Sequence, residues 1–122
     1  MEQSVIKSLF EKWNDALKTC DPGEVVKLYK PSAILLPTMS NKVRHTPSEI
    51  KDYFVHFLSN KPEGKIIESN IRIFGDIAIN SGLYSFKFSD ETVTDARFTF
   101  VYEKTNDDWL IIEHHSSQMP EK

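Results

Sequence analysis

The chain has 122 residues, of which 39% are hydrophobic and 27% charged, and its formal net charge is −3. This length and composition are typical of one globular domain, which we assign to residues 1–122. The charges are mixed and form no basic block, so we expect no nucleic-acid partner. No apolar run is long enough to span a membrane, so we expect no membrane partner. The start of the sequence lacks the apolar core of a secretory signal, which favours a cytoplasmic location.

The first half of the sequence has mainly helical periodicity. Apolar residues recur at three- and four-residue spacing from Val5 to Cys20, which predicts one amphipathic helix. Asp21-Pro22-Gly23-Glu24 is a helix start signal in which Asp21 caps and Glu24 reaches back to the cap. The second helix is expected to include Tyr29 and to end before Pro31. Cys20 is the single cysteine, which excludes an intrachain disulfide and a cysteine-rich metal site.

The rest of the sequence predicts a strand, a third helix and four further strands. Ala33–Leu36 is predicted to be a short strand, and Thr46-Pro47-Ser48-Glu49 is predicted to begin a third helix. Four strands follow, predicted near residues 65–74, 77–88, 92–104 and 109–117. Helices followed by a hairpin-connected meander predict an α+β domain with three N-terminal helices packed on an antiparallel sheet.

Apolar residues occur on both faces of the predicted strands. Phe98, Phe100 and Tyr102 share one face of the third meander strand, and Val101 lies on the other. In the second meander strand, Ile77 and Ile79 occupy odd positions, whereas Tyr84, Phe86 and Phe88 occupy even ones. We therefore expect a bulge at Gly82 that changes which positions face the core. The helices can cover one face of the sheet. We expect a second subunit to cover the other, which predicts a homodimer or higher homo-oligomer.

The order helix, helix, strand, helix and four strands resembles the cone-shaped nuclear transport factor 2-like fold, also called SnoaL-like. The most specific segments are Ala96-Arg97-Phe98-Thr99-Phe100 and His114-His115-Ser116-Ser117. With them the chain resembles a bacterial group of SgcJ/EcaC-type proteins related to the association domain of calcium/calmodulin-dependent protein kinase II. The resemblance implies a curved sheet, self-association and an internal pocket, but no kinase activity. Since the sequence has neither a G-x-G-x-x-G motif nor a P-loop, we expect no nucleotide cofactor, and we assign no other cofactor.

His114 and His115 are the first candidate site residues. Neighbours on a strand point to opposite faces, so the two cannot bind one metal ion on a regular strand. Regular alternation puts His114 on the side of Leu110, Ile112 and Ser116, which we assign to the interior. The alternative is that both histidines are hydrogen-bonded structural residues at an interface.

Arg97 is the second candidate, because a cavity arginine suits a carboxylate ligand. Alternation puts it on the side of Thr99 and Val101, opposite the aromatic residues. The alternative is an interfacial ion pair with Glu103, Asp95 or a partner subunit. The predicted ligand-binding residues are Trp13, Thr38, Tyr53, Tyr84, Arg97, His114, His115 and Ser116. The alternative for the aromatic residues among them is that they only form part of the core.

No catalytic residue and no metal site are assigned. The strand acids lie at strand ends or beside charged residues, and no nucleophile elbow is present. His45 and His56 are far from His114 in sequence, and His56 is expected to pair with Asp52. We predict a self-associating domain with a pocket for a small organic ligand, and Arg97 favours an anion. The alternatives are an oligomerisation module without a ligand and a SnoaL-like lyase, isomerase or hydrolase acting on a small molecule.

Overall fold

A computed structural model describes residues 2–38 and 40–121. The fold is α+β, as predicted, and the elements occur in the expected order. In the described residues the elements are helices α1 (Glu2–Lys18), α2 (Pro22–Val26) and α3 (Pro47–Leu58) and strands β1 (Tyr29–Leu36), β2 (Glu63–Phe74), β3 (Ile77–Lys87), β4 (Val93–Thr105) and β5 (Asp108–Gln118).

The five strands form one curved, unclosed sheet in the order β1-β5-β4-β3-β2. The four meander strands are antiparallel, but β1 pairs with β5 in parallel. The prediction of a wholly antiparallel sheet is therefore corrected at this edge. A parallel pair needs a long crossover, and here α3 with the intervening strands provides it.

Both predicted cap signals begin helices. The Asp21 side chain accepts a hydrogen bond from the Gly23 amide at 2.9 Å, and the Thr46 hydroxyl accepts one from the Glu49 amide at 3.1 Å. A proline occupies the first turn of each helix, where its missing N–H costs nothing. Glu24 departs from the prediction, because its carboxylate pairs with Lys27 at 2.6 Å instead of reaching back to the cap.

The second helix is shorter than expected, and this places Tyr29 in a strand. The helix ends at Val26, and the Leu28 amide then bonds to the Val25 carbonyl at 3.1 Å in a turn. Pro31 lies in the edge strand β1, where a missing donor is tolerated. Tyr29 consequently pairs with β5 and points into the core.

The expected phase switch at Gly82 in β3 is wrong. The buried residues keep the same parity on both sides of Gly82, so Ile77 and Ile79 face outward from the helices. The irregularity is in β2 instead, where Ile67 has no partner between two paired neighbours. A Cβ atom at Gly82 would lie 2.1 Å from the Glu68 carbonyl oxygen, so only glycine permits this close approach.

A bulge in β5 changes the phase just before the two histidines. Val101 pairs with Glu113 and Tyr102 pairs with Ile111, which leaves Ile112 as the extra residue. Ile111 and His114 are therefore both buried, although their sequence parity differs. The prediction that His114 shares a face with Leu110 and Ile112 is corrected, since it assumed a regular strand.

Helices cover one side of the sheet, here called the inner face, and the opposite side is the outer face. Helix α1 lies against β2 and β3, and α3 lies against β1 and α2. Trp13 lies at the centre of the buried core, with edge-on ring contacts to Phe54, Phe86, Phe100 and His114. Among the residues that the structure describes, no helix is long and apolar enough to cross a membrane.

Candidate functional site

A cavity of about 380 Å³ lies between α3 and the inner face, within the size range of small-molecule pockets. The exposed lining residues mark its mouth, and the buried ones, including His114 and Tyr84, mark its floor. The lining consists of Trp13, Leu35, Pro37, Thr38, Tyr53, Phe54, His56, Phe57, Asn60, Tyr84, Phe86, Phe88, Asp90, Thr92, Thr94, Ala96, His114 and Ser116.

His114 is held on the cavity floor by hydrogen bonds at both ring nitrogens. Its Nδ1 is 2.8 Å from the Tyr29 hydroxyl, and its Nε2 is 3.3 Å from the Tyr84 hydroxyl. The Trp13 indole N–H donates to the same Tyr29 oxygen at 3.2 Å. The ring of Phe100 stacks on the imidazole with centroids 4.0 Å apart. These contacts fix the ring's position and its plane.

The hydrogen-bonded chain continues to the cavity wall. The Tyr84 hydroxyl donates to the Ser116 oxygen at 2.6 Å, and the Thr38 and Ser116 hydroxyl oxygens are also 2.6 Å apart. Tyr53 reaches the Thr38 carbonyl at a longer 3.4 Å. This series of hydrogen bonds therefore joins the end of β1 to β3 and β5. It also places two small hydroxyl groups on the cavity lining.

The floor is uncharged at neutral pH. Burial, with a smaller contribution from His115, lowers the pKa of His114 to about 3, so the imidazole carries no charge. Burial raises the pKa of Tyr53 to about 12 and raises the pKa of Tyr84 as well, so both phenols keep their protons. At the mouth, hydrogen bonds from Thr92 lower the pKa of the exposed Asp90 carboxyl, which is ionised there.

Arg97 does not reach the cavity. It is exposed on the outer face of β4, where it pairs with Leu83 on one side and Ser117 on the other. In the described residues it forms no ion pair with Glu103 or Asp95, and Glu103 instead pairs with Lys30 at 2.7 Å. The described lining contains no lysine or arginine. The expectation of an anionic ligand therefore loses the residue on which it rested.

His115 also lies outside the cavity. It is exposed on the outer face opposite Thr99, and it borders a separate pocket of about 290 Å³ together with Lys42 and Ser117. The two histidines thus point to opposite faces. No group of three His, Cys, Asp or Glu side chains suited to a metal ion occurs within residues 2–38 and 40–121. His56 lies 3.9 Å from Asp52, as the sequence suggested.

The structure brings six of the eight predicted site residues together around the cavity and leaves Arg97 and His115 on the other face. Sequence reasoning missed Tyr29, because it assigned this residue to a helix; the nearby Pro31 was the signal against that helix. It also missed Arg44, a buried arginine that binds the Asp52 carboxylate at 2.9 Å and lies 5.9 Å from the ring centre of Tyr53.

The curved sheet, its helical cover and the enclosed cavity define the class of NTF2-like proteins. An NTF2-like protein of unknown function from Pseudomonas putida KT2440 has the same fold, with a TM-score of 0.81 and 18% identity over 93% of this chain and 84% of that chain. A candidate dehydratase of the NTF2-like family from Streptomyces avermitilis has a TM-score of 0.83 and 13% identity over 99% and 100%. Identities this low show the fold alone.

Two closer findings identify the family. Residues 2–120 match the model of the calcium/calmodulin dependent protein kinase II association domain. A candidate association domain of this kind from Xanthomonas campestris has a TM-score of 0.92 and is 44% identical over 96% of this chain and 87% of that chain. The chain therefore belongs to the calcium/calmodulin dependent protein kinase II association domain family. No curated protein sequence matches it.

Proposed function

We propose that this domain binds a small, uncharged organic ligand in the cavity and self-associates through the outer face of its sheet. The observation that carries the ligand proposal is the cavity itself, with its aromatic walls and a hydrogen-bonded, uncharged floor. A mainly apolar pocket with a few converging polar groups is the usual form of a small-molecule site.

The walls favour a flat hydrocarbon body. Tyr53 and Phe57 stack on each other with centroids 5.7 Å apart, and Phe86 meets Phe57 edge-on at 5.4 Å. Rings of this kind bind aromatic or alicyclic groups through burial and offset contacts. No lysine or arginine in the described lining can pair with a carboxylate, and Asp90 at the mouth repels one. An uncharged ligand therefore fits better than an anion.

The ligand proposal is tested with two bicyclic compounds of similar size, 1-indanone and indane-1-carboxylate. Trp13 lies in the lining, so its fluorescence reports occupancy alongside the thermal midpoint. We expect 1-indanone to bind at least about tenfold more tightly, because burying an unpaired carboxylate is costly. Equal binding of the carboxylate, or no binding of either compound, would overturn the proposal.

A matched pair of variants locates the binding. Thr94 lines the cavity, and Thr94→Trp fills it, whereas Val55→Trp adds the same ring to an exposed position on α3. We expect the first substitution to weaken 1-indanone binding at least about tenfold and the second to leave it within about twofold. If both variants bind equally well, the ligand is held elsewhere.

Two observations support self-association. The chain belongs to a family named for association, and the outer face carries a set of half-exposed aliphatic side chains. The set consists of Ile34, Leu36, Ile77, Ile79, Leu83, Val101 and Ile112. Apolar groups arranged on one face of a sheet are typical of an interface between subunits. Arg97 and His115 lie on the same face, at the place where a polar rim is expected.

Sedimentation equilibrium tests this interface. Val101→Glu puts a charge among the outer-face aliphatics, whereas Val55→Glu makes the same change on the helical side. We expect the wild type and Val55→Glu to form the same homo-oligomer and Val101→Glu to dissociate at least about a hundredfold more readily. A wild type that is monomeric at micromolar concentration would contradict the proposal.

An association module without a ligand is the second candidate, favoured by the same outer face and by the family. It predicts assembly together with failure of both indane compounds to bind. The described lining holds no sheltered carboxylate, and both nitrogens of His114 are engaged. We therefore propose no catalytic residue for a lyase, isomerase or hydrolase reaction.

A further inference from the structure

The hydrogen-bonded chain at the cavity floor has a fixed direction. We infer from it that the Thr38–Ser116 pair offers the ligand one hydroxyl hydrogen, and that the site selects a compound with an acceptor oxygen, such as a ketone, ester or amide carbonyl. The inference rests on the proposed function, since it specifies the ligand of the same cavity.

The direction of hydrogen donation is set at the buried end of this series of hydrogen bonds. The Trp13 indole can only donate, and it donates to the Tyr29 oxygen. Among the described contacts, the Tyr29 hydroxyl hydrogen then has one remaining acceptor, the Nδ1 atom of His114 at 2.8 Å. Tyr29 is 5% exposed, and a buried hydroxyl hydrogen needs a partner. Nδ1 of His114 is therefore the acceptor and carries no hydrogen.

His114 continues the same direction of hydrogen donation toward Tyr84. A neutral imidazole holds one hydrogen, and with Nδ1 bare that hydrogen is on Nε2. It is donated to the Tyr84 oxygen at 3.3 Å, and Tyr84 donates its own hydrogen to Ser116 at 2.6 Å. The neutral form follows from position, because the ring is 3% exposed among Trp13, Phe100 and the two tyrosines, with no carboxylate in its described contacts.

One hydrogen remains at the cavity end of the chain. The Thr38 and Ser116 oxygens are 2.6 Å apart, so one of their two hydroxyl hydrogens lies between them. The other has no acceptor among the described residues, and both side chains line the cavity. An unpaired donor is tolerated less well than an unpaired acceptor. A ligand oxygen placed here accepts this hydrogen, whereas a ligand N–H can only use a free lone pair and leaves the hydroxyl hydrogen unpaired.

Three bicyclic compounds of nearly equal size test the inference: indene has no polar group, indole only donates and 1-indanone only accepts. Dissociation constants come from protein-observed NMR titration. We expect 1-indanone to bind about 3- to 10-fold more tightly than indene, the effect of one neutral hydrogen bond, and more tightly than indole, which leaves the hydroxyl hydrogen unpaired. If indene or indole equals 1-indanone, the inference is wrong although the cavity binds ligands. If none of the three binds, the proposed function fails and the inference fails with it.

The tautomer of His114 gives a measurement that needs no ligand. In a long-range proton–nitrogen NMR spectrum at pH 7 we expect hydrogen on Nε2 and a bare Nδ1. Hydrogen on Nδ1 alone would reverse the direction of donation, and hydrogen on both nitrogens would contradict the neutral ring and leave the Tyr29 hydroxyl hydrogen without its acceptor. Either result would overturn the inference even if all three compounds bind.

Discussion

His114 and His115 are neighbours in the chain, but they lie on opposite faces of the sheet and in opposite environments. His114 is buried and uncharged, with both ring nitrogens hydrogen-bonded by tyrosines. His115 is exposed opposite Thr99. The comparison shows that the face of the strand, more than the residue type, decides which chemistry a side chain can perform.

The inner and outer faces of the sheet also differ in the side chains that they carry. The inner face carries stacked aromatic rings and the series of hydrogen bonds from Trp13 to Thr38, and both border the cavity. The outer face carries half-exposed aliphatic residues with polar residues between them. We expect the inner face to determine the stability of the fold and the ligand, and the outer face to determine assembly.

The largest effect is expected from an inner-face truncation. Phe100→Ala removes a fully buried ring that stacks on His114, and should lower the free energy of unfolding by about 3–5 kcal/mol. Its outer-face neighbour provides the control, since Thr99→Ala should change that free energy by about 1 kcal/mol or less, the span of strand propensities. Urea unfolding at one protein concentration measures both. Similar losses at the two positions would remove the energetic difference between the faces.

The next effect concerns the close approach of the β2 backbone to Gly82 in β3. Gly82→Ala brings a Cβ atom within 2.1 Å of the Glu68 carbonyl oxygen, so the backbone of β2 has to move. We expect a loss of about 3 kcal/mol, the upper end of ordinary overpacking. Ser81→Ala, one residue earlier, is the control and should lie within about 0.5 kcal/mol of wild type. An unchanged thermal midpoint for Gly82→Ala would show that the bulge at Ile67 does not require this approach.

A third effect distinguishes the two histidines by pH. The pKa of His114 falls from its ordinary value of 6.5 to about 3 in the folded protein. Between these values the unfolded chain binds a proton that the folded chain excludes, so stability falls as the pH falls through this window. From pH 6.5 to pH 5 the loss attributable to His114 is about 2 kcal/mol.

Unfolding free energies of two variants over the same range assign this pH dependence. His114→Gln should flatten the slope, and His115→Gln should keep it. A slope that survives in His114→Gln would show that other groups cause it.

The smallest effect is expected at Arg97, which lies on the outer face away from the cavity. Arg97→Ala should leave 1-indanone affinity within about twofold of wild type and monomer stability within about 0.5 kcal/mol. Titration of the variant measures the affinity. A large loss of ligand binding would return Arg97 to the site and contradict the separation of the two faces.

Local signals in the sequence predicted much of this fold. The caps at Asp21 and Thr46 act over two or three residues, and they begin α2 and α3 as expected. The alternation of Phe98, Phe100 and Tyr102 correctly predicted one buried face of β4. Trp13, Tyr53 and Tyr84 were predicted as candidate cavity residues, the two tyrosines because a buried hydroxyl needs a partner.

The sequence by itself determined the element order, the helix starts and the aromatic face, because these depend on neighbouring residues. Only the tertiary structure decided that His114 faces the cavity on the same side as Ile111 and that Tyr29 joins His114. The physical reason is the pairing of strands distant in the chain. One unpaired residue, Ile112, reverses the parity of everything beyond it, and the parallel pairing of β1 with β5 brings Tyr29 to a histidine 85 positions away.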